Sequence, residues 1–291
     1  MIELIHPPCP PCRGEKKDLL RIYLLIFFIL FNIPSLSFSQ DSLNVKTDKD
    51  NCDVSLFRSI NNYRTPFLNS FLNITDRSML PAAIIVPSTL MLYGRLDKKT
   101  YEENTGYLMG ASILTNGLVT LGLKYLINRP RPYVALSNVH YSKSHLETSP
   151  SFPSGHSSTA FAISTMLALR YPKSPQVYIP VYLWSMIVAY GRPYWGMHYP
   201  TDLLGGAVVG TLSSVFIFSI RKELFKLKNS VLNEKDKPDA NTNNSMGIIA
   251  AAYLVSITAN EFLFNDSKFQ ISLSPVENGN MDGISIGVKL K

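Results

Sequence analysis

An all-α, multi-span transmembrane helical bundle of about six spans, with a short C-terminal β-hairpin tail, is the fold class this sequence predicts. Three observations predict it. Of 291 residues, 46% are hydrophobic and only 17% charged, against about 25% charged in an ordinary soluble domain. Apolar runs alternate with short charged loops along most of the chain. The last stretch instead alternates apolar and polar residues with period two. The same composition excludes intrinsic disorder, which needs few apolar residues and many charges. Three cysteines exclude a disulfide-dense scaffold.

The chain opens with an export signal, residues 1–39. Lys16, Lys17 and Arg21 form a basic region, 22–33 is almost wholly apolar, and Ser37 and Ser39 supply the small residues a signal peptidase reads. The apolar run is shorter than the ~20 residues a spanning helix needs, which favours a cleaved signal over an anchor. Cys9 and Cys12 then fall in a discarded leader and leave Cys52 as the mature cysteine. Residues 40–77 combine a polar segment with an amphipathic helix. Leu56, Phe57, Ile60, Tyr63, Phe67 and Phe71 recur at near-helical spacing, which suits a helix in the membrane interface or a half-buried one equally.

The helical bundle occupies 78–220, with uncharged runs at 78–94, 105–123, 157–169, 176–191 and 203–220. Pro87 is expected to kink the first. A basic and polar linker follows at 221–245, then a weaker sixth run at 246–259, within a tail domain of 246–291. In that tail Phe269, Ile271 and Leu273 alternate with polar residues, and Ile284, Ile286, Val288 and Leu290 do so again after Asn278-Gly279-Asn280. That pattern reads as a hairpin. Arg95, Lys98, Lys99, Arg170, Lys173 and the lysines of 221–237 follow alternate runs. The positive-inside rule puts these loops in the cytoplasm and the remaining loops outside.

The outside loops carry the chemistry. The first runs from Lys124 to Arg131-Pro132, the second is Pro153-Ser154-Gly155-His156, and the third places Arg192, His198 and Asp202 at the start of the fifth run. Lys124, Arg131 and Arg192 can neutralise a phosphoester, and a guanidinium grips two of its oxygens. Ser154 and Gly155 lie where a helix starts, and free N–H groups there attract anions. Asp202 stands one helical turn beyond His198 and can orient its ring. Arg129 and Lys143 are read as lipid-headgroup contacts, and His140 and His145 as solvated residues. Tyr190, Tyr194, Trp195 and Tyr199 fit either an aromatic belt or plain packing.

This ordered set resembles the three-part signature of the type 2 phosphatidic acid phosphatase superfamily, over about Leu56 to Ile220. Gly191 departs from it, since the family has Ser before the third-motif Arg. The resemblance implies that His198 forms a phosphohistidine and that His156 protonates the leaving alcohol and then activates water. The residue types suit phosphoryl transfer without a metal or cofactor: the spacing from His198 to Asp202 would permit a metal, but the three nearby cations would repel one. The resemblance also implies a lipid phosphate substrate, with phosphatidic acid, phosphatidylglycerol phosphate, an isoprenyl diphosphate and lipid A as candidates. The implied place is the inner membrane of a bacterial envelope, with the site on the periplasmic face. No nucleic-acid partner is expected. A periplasmic acid phosphatase acting on soluble esters and a non-catalytic lipid-binding protein stand as alternatives.

Overall fold

The computed structural model describes residues 51–142, 146–235, 237–240, 246–264, 269–276 and 283–290, with side chains as far as residue 258. The expected signal peptide, Lys143, His145, the Asn-rich 241–245 and the turn Asn278-Gly279-Asn280 lie outside the described residues.

The amphipathic stretch through Leu56 and Phe71 is two helices, not one. Asn51 caps α1, Cys52–Asn62, by accepting the Val54 N–H at 2.9 Å. Thr65 then caps α2, Pro66–Leu96, by accepting the Leu68 N–H at 3.2 Å. Pro66 sits at the first helical position, where a missing N–H costs nothing. No break separates residues 77 and 78, so the expected domain boundary there falls inside α2. Pro81 and Pro87 lie within α2, both buried, and helical structure continues through them.

A tight turn leads into α3, Thr100–Ile127, which Asn128 ends in the left-handed region at φ 47°. The short α4, Pro132–Ala135, follows Arg131. The site-bearing helices are α5, Gly155–Arg170, α6, Pro175–Tyr194, and α7, Pro200–Ser219. Beyond them come α8, Arg221–Val231, and α9, Met246–Phe264, then two strands, β1 Phe269–Val276 and β2 Gly283–Leu290. The strands pair antiparallel, with Phe269 opposite Leu290. Among the described residues three stretches are long and apolar enough to cross a membrane: Pro66–Leu96, Thr100–Ala135 and Pro200–Ser219.

Helix α5 is the centre of the bundle and packs on α3, α6 and α7, while α9 packs on α2. The apolar core joins Val86 and Leu90 of α2, Leu108 and Met109 of α3, Ile163 and Met166 of α5, and Ile249 and Ala252 of α9. Small residues let α5 and α7 touch backbone to backbone. A Cβ on Gly210 would stand 1.9 Å from the Ser158 carbonyl oxygen, and one on Gly206 would stand 2.5 Å from that of Ser154. Hydroxyl pairs bridge the helices, Ser112 to Ser214 at 2.6 Å and Thr120 to Ser158 at 3.1 Å. Small-residue seams and polar bridges replace the hydrophobic drive that lipid cannot supply. On the outer faces Leu114, Leu118, Leu126 and Leu204 are exposed.

The three basic turns gather at one end of the bundle. There Arg170 is buried rather than free in a loop. It donates to Asp239 at 2.7 and 2.8 Å and to Thr105 at 2.8 Å, and it stacks on Tyr101. Lys228 of α8 donates to Asn104 at 2.7 Å and pairs with Glu103. The three motif loops meet at the opposite end.

Candidate active site

The site forms where α5, α6 and α7 begin or end together. Ser154 caps α5 through its hydroxyl, which accepts the Ser157 N–H at 3.3 Å. The Ser154 N–H donates to the Asp202 carbonyl at 3.0 Å, tying the start of α5 to the start of α7. That N–H is therefore committed and is not free for the anion contact expected of Ser154. A Cβ on Gly155 would meet nothing nearer than Thr120 at 4.0 Å, so packing does not require glycine there. His156 stands in that first turn, a quarter exposed.

His198 is wholly buried in the turn before α7. Its Nδ1 lies 3.5 Å from Asp202 Oδ2, longer than a good hydrogen bond. Its Nε2 lies 3.2 Å from Nη1 of Arg131. Burial, reinforced by the Arg131 cation, lowers the His198 pKa to about 3 despite Asp202. The ring is therefore neutral near pH 7, the form with a lone pair to offer. Asp202 does more than face His198. It accepts from Arg129 at 2.7 Å, from the Ser151 hydroxyl, and from the Tyr199 N–H at 2.8 Å.

Arg129 is thus a structural bridge and not the headgroup contact expected from its position. Its second nitrogen pairs with Asp53 of α1 at 2.7 Å, and its guanidinium lies 3.9 Å over the Tyr199 ring. The aromatic belt also fails for Tyr194, Trp195 and Tyr199, which are buried. Tyr194 packs under Arg64 at 4.0 Å and donates to Asn69 at 2.5 Å. Of that group Tyr190 alone is exposed. Asn61 of α1 donates to the Pro193 and Tyr194 carbonyls at 3.0 Å, pinning α1 over this end. His140 joins it through its backbone N–H, which donates to Asn61 at 2.8 Å.

The three expected phosphate-binding cations converge, and each is engaged. Arg192, buried, is gripped by Asp76 of α2 at 2.7 and 2.9 Å. Its other terminal nitrogen donates to Glu147. Arg131 donates to the second oxygen of Glu147 at 2.6 Å and to the Ser149 carbonyl at 2.7 Å. Lys124 donates to the Pro150 carbonyl. His156 Nδ1 lies 3.7 Å from Glu147. A carboxylate therefore sits where the cations and His156 meet. Burial pushes its pKa up, but Arg192 and Arg131 outweigh burial and hold it well below the ordinary carboxylate range.

Asp76, Glu147, Asp53 and Ser151 were missed from the sequence. Asp76 had a signal, because a carboxylate inside an apolar helix implies a buried cation partner. Glu147 had none, since it lies in a polar loop. At Gly191, where a serine was expected, a Cβ would stand 3.8 Å from Trp195 and 4.0 Å from Asp76. Those are ordinary contact distances, so packing does not require glycine there.

The arrangement is suited to phosphoryl transfer: two cations bridged by one anion, a neutral buried imidazole beside them, and a second imidazole 3.7 Å from that anion. Comparison with known proteins agrees. Residues 105–226 match the model of the PAP2 superfamily. Undecaprenyl-diphosphatase BcrC of Bacillus subtilis (strain 168) is 30% identical over 145 residues, which cover 50% of this chain and 70% of that protein. Phosphatidylglycerophosphatase B of the same organism is 33% identical over 162 residues, covering 51% and 73%. Lipid A 1-phosphatase of Rhizobium johnstonii is 32% identical over 136 residues, covering 44% and 53%. With its three motif loops closed on one anion cradle and these relatives beside it, the chain belongs to the PAP2 superfamily.

Proposed function

We propose that the protein is a membrane lipid phosphatase that hydrolyses a phosphate monoester or diphosphate through a phosphohistidine. The observation that carries this reading is the convergence of Arg131, Arg192, His156 and His198 on one anion-filled cradle. His198 Nε2 attacks phosphorus, and the P–O bond to the leaving group breaks. His156 gives that oxygen its proton. Water then attacks the phosphohistidine, His156 takes the proton, and inorganic phosphate leaves. Arg131 swings from Nε2 to the phosphoryl oxygens, which frees the nucleophilic lone pair. Arg192, fixed by Asp76, stabilises the transition-state charge from the other side.

Lipid substrates fit better than soluble esters because the helices around the cradle expose apolar residues outward. The named activities of the relatives cover an isoprenyl diphosphate, phosphatidylglycerophosphate and lipid A. Six spans, a cleaved export signal and a periplasmic site in the inner membrane complete the proposal. Charge placement along the sequence supports that orientation. Helices α1 and the start of α2 then lie at the outer headgroups, where Tyr63 and Phe67 are exposed.

Detergent-purified protein should release phosphate from these lipids much faster than from p-nitrophenyl phosphate. His198→Ala should abolish turnover, since no other group carries the phosphoryl. Full lipid phosphatase activity in that variant would refute the mechanism.

A further inference from the structure

We propose that Glu147 sets which phosphates occupy the cradle at working concentrations: its carboxylate is the resident anion, and a substrate enters only by displacing it. The inference rests on the phosphatase reading above and adds which phosphates pass. The geometry is that of a bound oxyanion. One carboxylate oxygen takes Arg192 and the other takes Arg131 at 2.6 Å. His156 Nδ1 lies 3.7 Å away. The following residues continue the same occupation. Ser149 accepts from Arg131 through its carbonyl at 2.7 Å and its hydroxyl at 3.1 Å, and the Pro150 carbonyl takes Lys124. Tyr133 donates to the Glu147 carbonyl at 2.8 Å, which holds the segment down.

A tethered group competes at an effective concentration of about millimolar or more. Every anion that enters is weakened by the fraction of time the cradle stands free. The penalty is the same for all, so it acts as a threshold. A phosphodiester brings one negative charge, as the carboxylate does, and gains little by the exchange. A terminal phosphate brings close to two near pH 7 and can complete contacts with both guanidiniums and Lys124. The site stands at the end of a bundle whose outer faces are apolar. It is therefore bathed in the phosphodiester headgroups of ordinary phospholipids. Glu147 keeps those headgroups from occupying the cradle while terminal phosphates still bind.

The test uses full-length protein in detergent, with inorganic phosphate and dimethyl phosphate as probes and titration calorimetry as the readout. Wild type should bind phosphate and show no measurable dimethyl phosphate binding. Glu147→Gln keeps size and one acceptor oxygen but removes the charge. It should bind phosphate about tenfold tighter or more and bring dimethyl phosphate into the measurable range. Glu147→Asp, shorter by one methylene, should fall between and serves if the glutamine variant fails to fold. Phosphate affinity unchanged or weakened in both variants would overturn the inference; if kcat on a lipid phosphate, measured alongside, then falls, Glu147 only positions His156. Wild type that neither binds phosphate nor releases it from lipids would overturn the phosphatase reading as well, so the two failures are distinguishable.

Discussion

Asp202 should lose both stability and turnover when its charge is removed, and the two losses can be separated. Its carboxylate is wholly buried, faces His198 at 3.5 Å, and is bound by Arg129 at 2.7 Å. Asp202→Asn preserves shape but leaves Arg129 without one of its two carboxylates. One-sided loss of a buried ion pair costs about 3–5 kcal/mol. Arg129 is a quarter exposed and keeps Asp53 at 2.7 Å, so about 2–3 kcal/mol is expected here. The asparagine amide can also turn its NH₂ toward the His198 ring and favour the wrong tautomer. In the serine-protease triad such a change lowers kcat about 10⁴-fold. There the histidine is a base; here it is the proposed nucleophile and its contact to Asp202 is long, so a loss of about 10²–10³ is expected. Arg129→Gln is the control. It destabilises by a similar amount but leaves the Asp202 charge beside His198, so kcat should fall less than about tenfold. In a double-mutant cycle the two stability losses should be less than additive, because they share one contact. Thermal unfolding in detergent and steady-state kinetics on a lipid phosphate measure both. If Asp202→Asn unfolds early yet keeps kcat within twofold, or if both variants lose kcat equally, Asp202 is only a hub for the loops.

Gly210→Ala places a methyl 1.9 Å from the Ser158 carbonyl oxygen and 2.9 Å from the Ala162 nitrogen. It should cost about 3 kcal/mol or more by forcing α5 and α7 apart, read as a lower Tm with lost activity. The pH dependence of stability has a definite sign. His198 falls from an ordinary 6.5 to about 3 on folding, so the unfolded chain binds the proton first. Its contribution is complete above pH 6.5 and is lost as pH falls toward 3, by at most about 1.4 kcal/mol per pH unit. Glu147, held well below 4.5, adds a further loss in the same direction below that pH. Tm against pH should therefore decline from 6.5 downward, and His198→Gln should flatten the slope between 6.5 and 4.5. Orientation has its own check: a cysteine at Ser142, in a Cys52→Ser background, should react with an impermeant maleimide in intact spheroplasts. One at Asn229 should react only after lysis, and the reverse pattern would refute a periplasmic site.

The candidate set that the structure brings together was legible because its spacing is local. Each motif lies at the beginning or end of a helix, and the alternation of basic loops already assigned all three to one end. What escaped was pairing between distant positions. Arg192 and Asp76 are 116 residues apart, and nothing near either one records the other. Arg129 was misjudged for the same reason, since its two carboxylates come from α1 and α7. The break between α1 and α2 was encoded in Thr65-Pro66, a cap followed by a first-turn proline, but the aromatic periodicity ran across it. Aromatic composition likewise cannot tell a lipid neighbour from a protein one, so the sequence leaves Tyr194 and Trp195 open to both readings.

The glycine seam between α5 and α7 sets the interval between the two histidines. His156 rides on the first turn of α5, and His198 stands just before α7, whose first turn is bonded to Ser154. The groups that fill the cradle, the Glu147 carboxylate and the Ser149 and Pro150 carbonyls, come instead from the stretch between α4 and α5. The protein is built like a tool with a fixed jaw and an exchangeable one. Drift in that stretch can change what fills the cradle while the spacing of the two histidines stays constant. Lineages that change substrate should accordingly vary in that stretch and conserve Gly206 and Gly210.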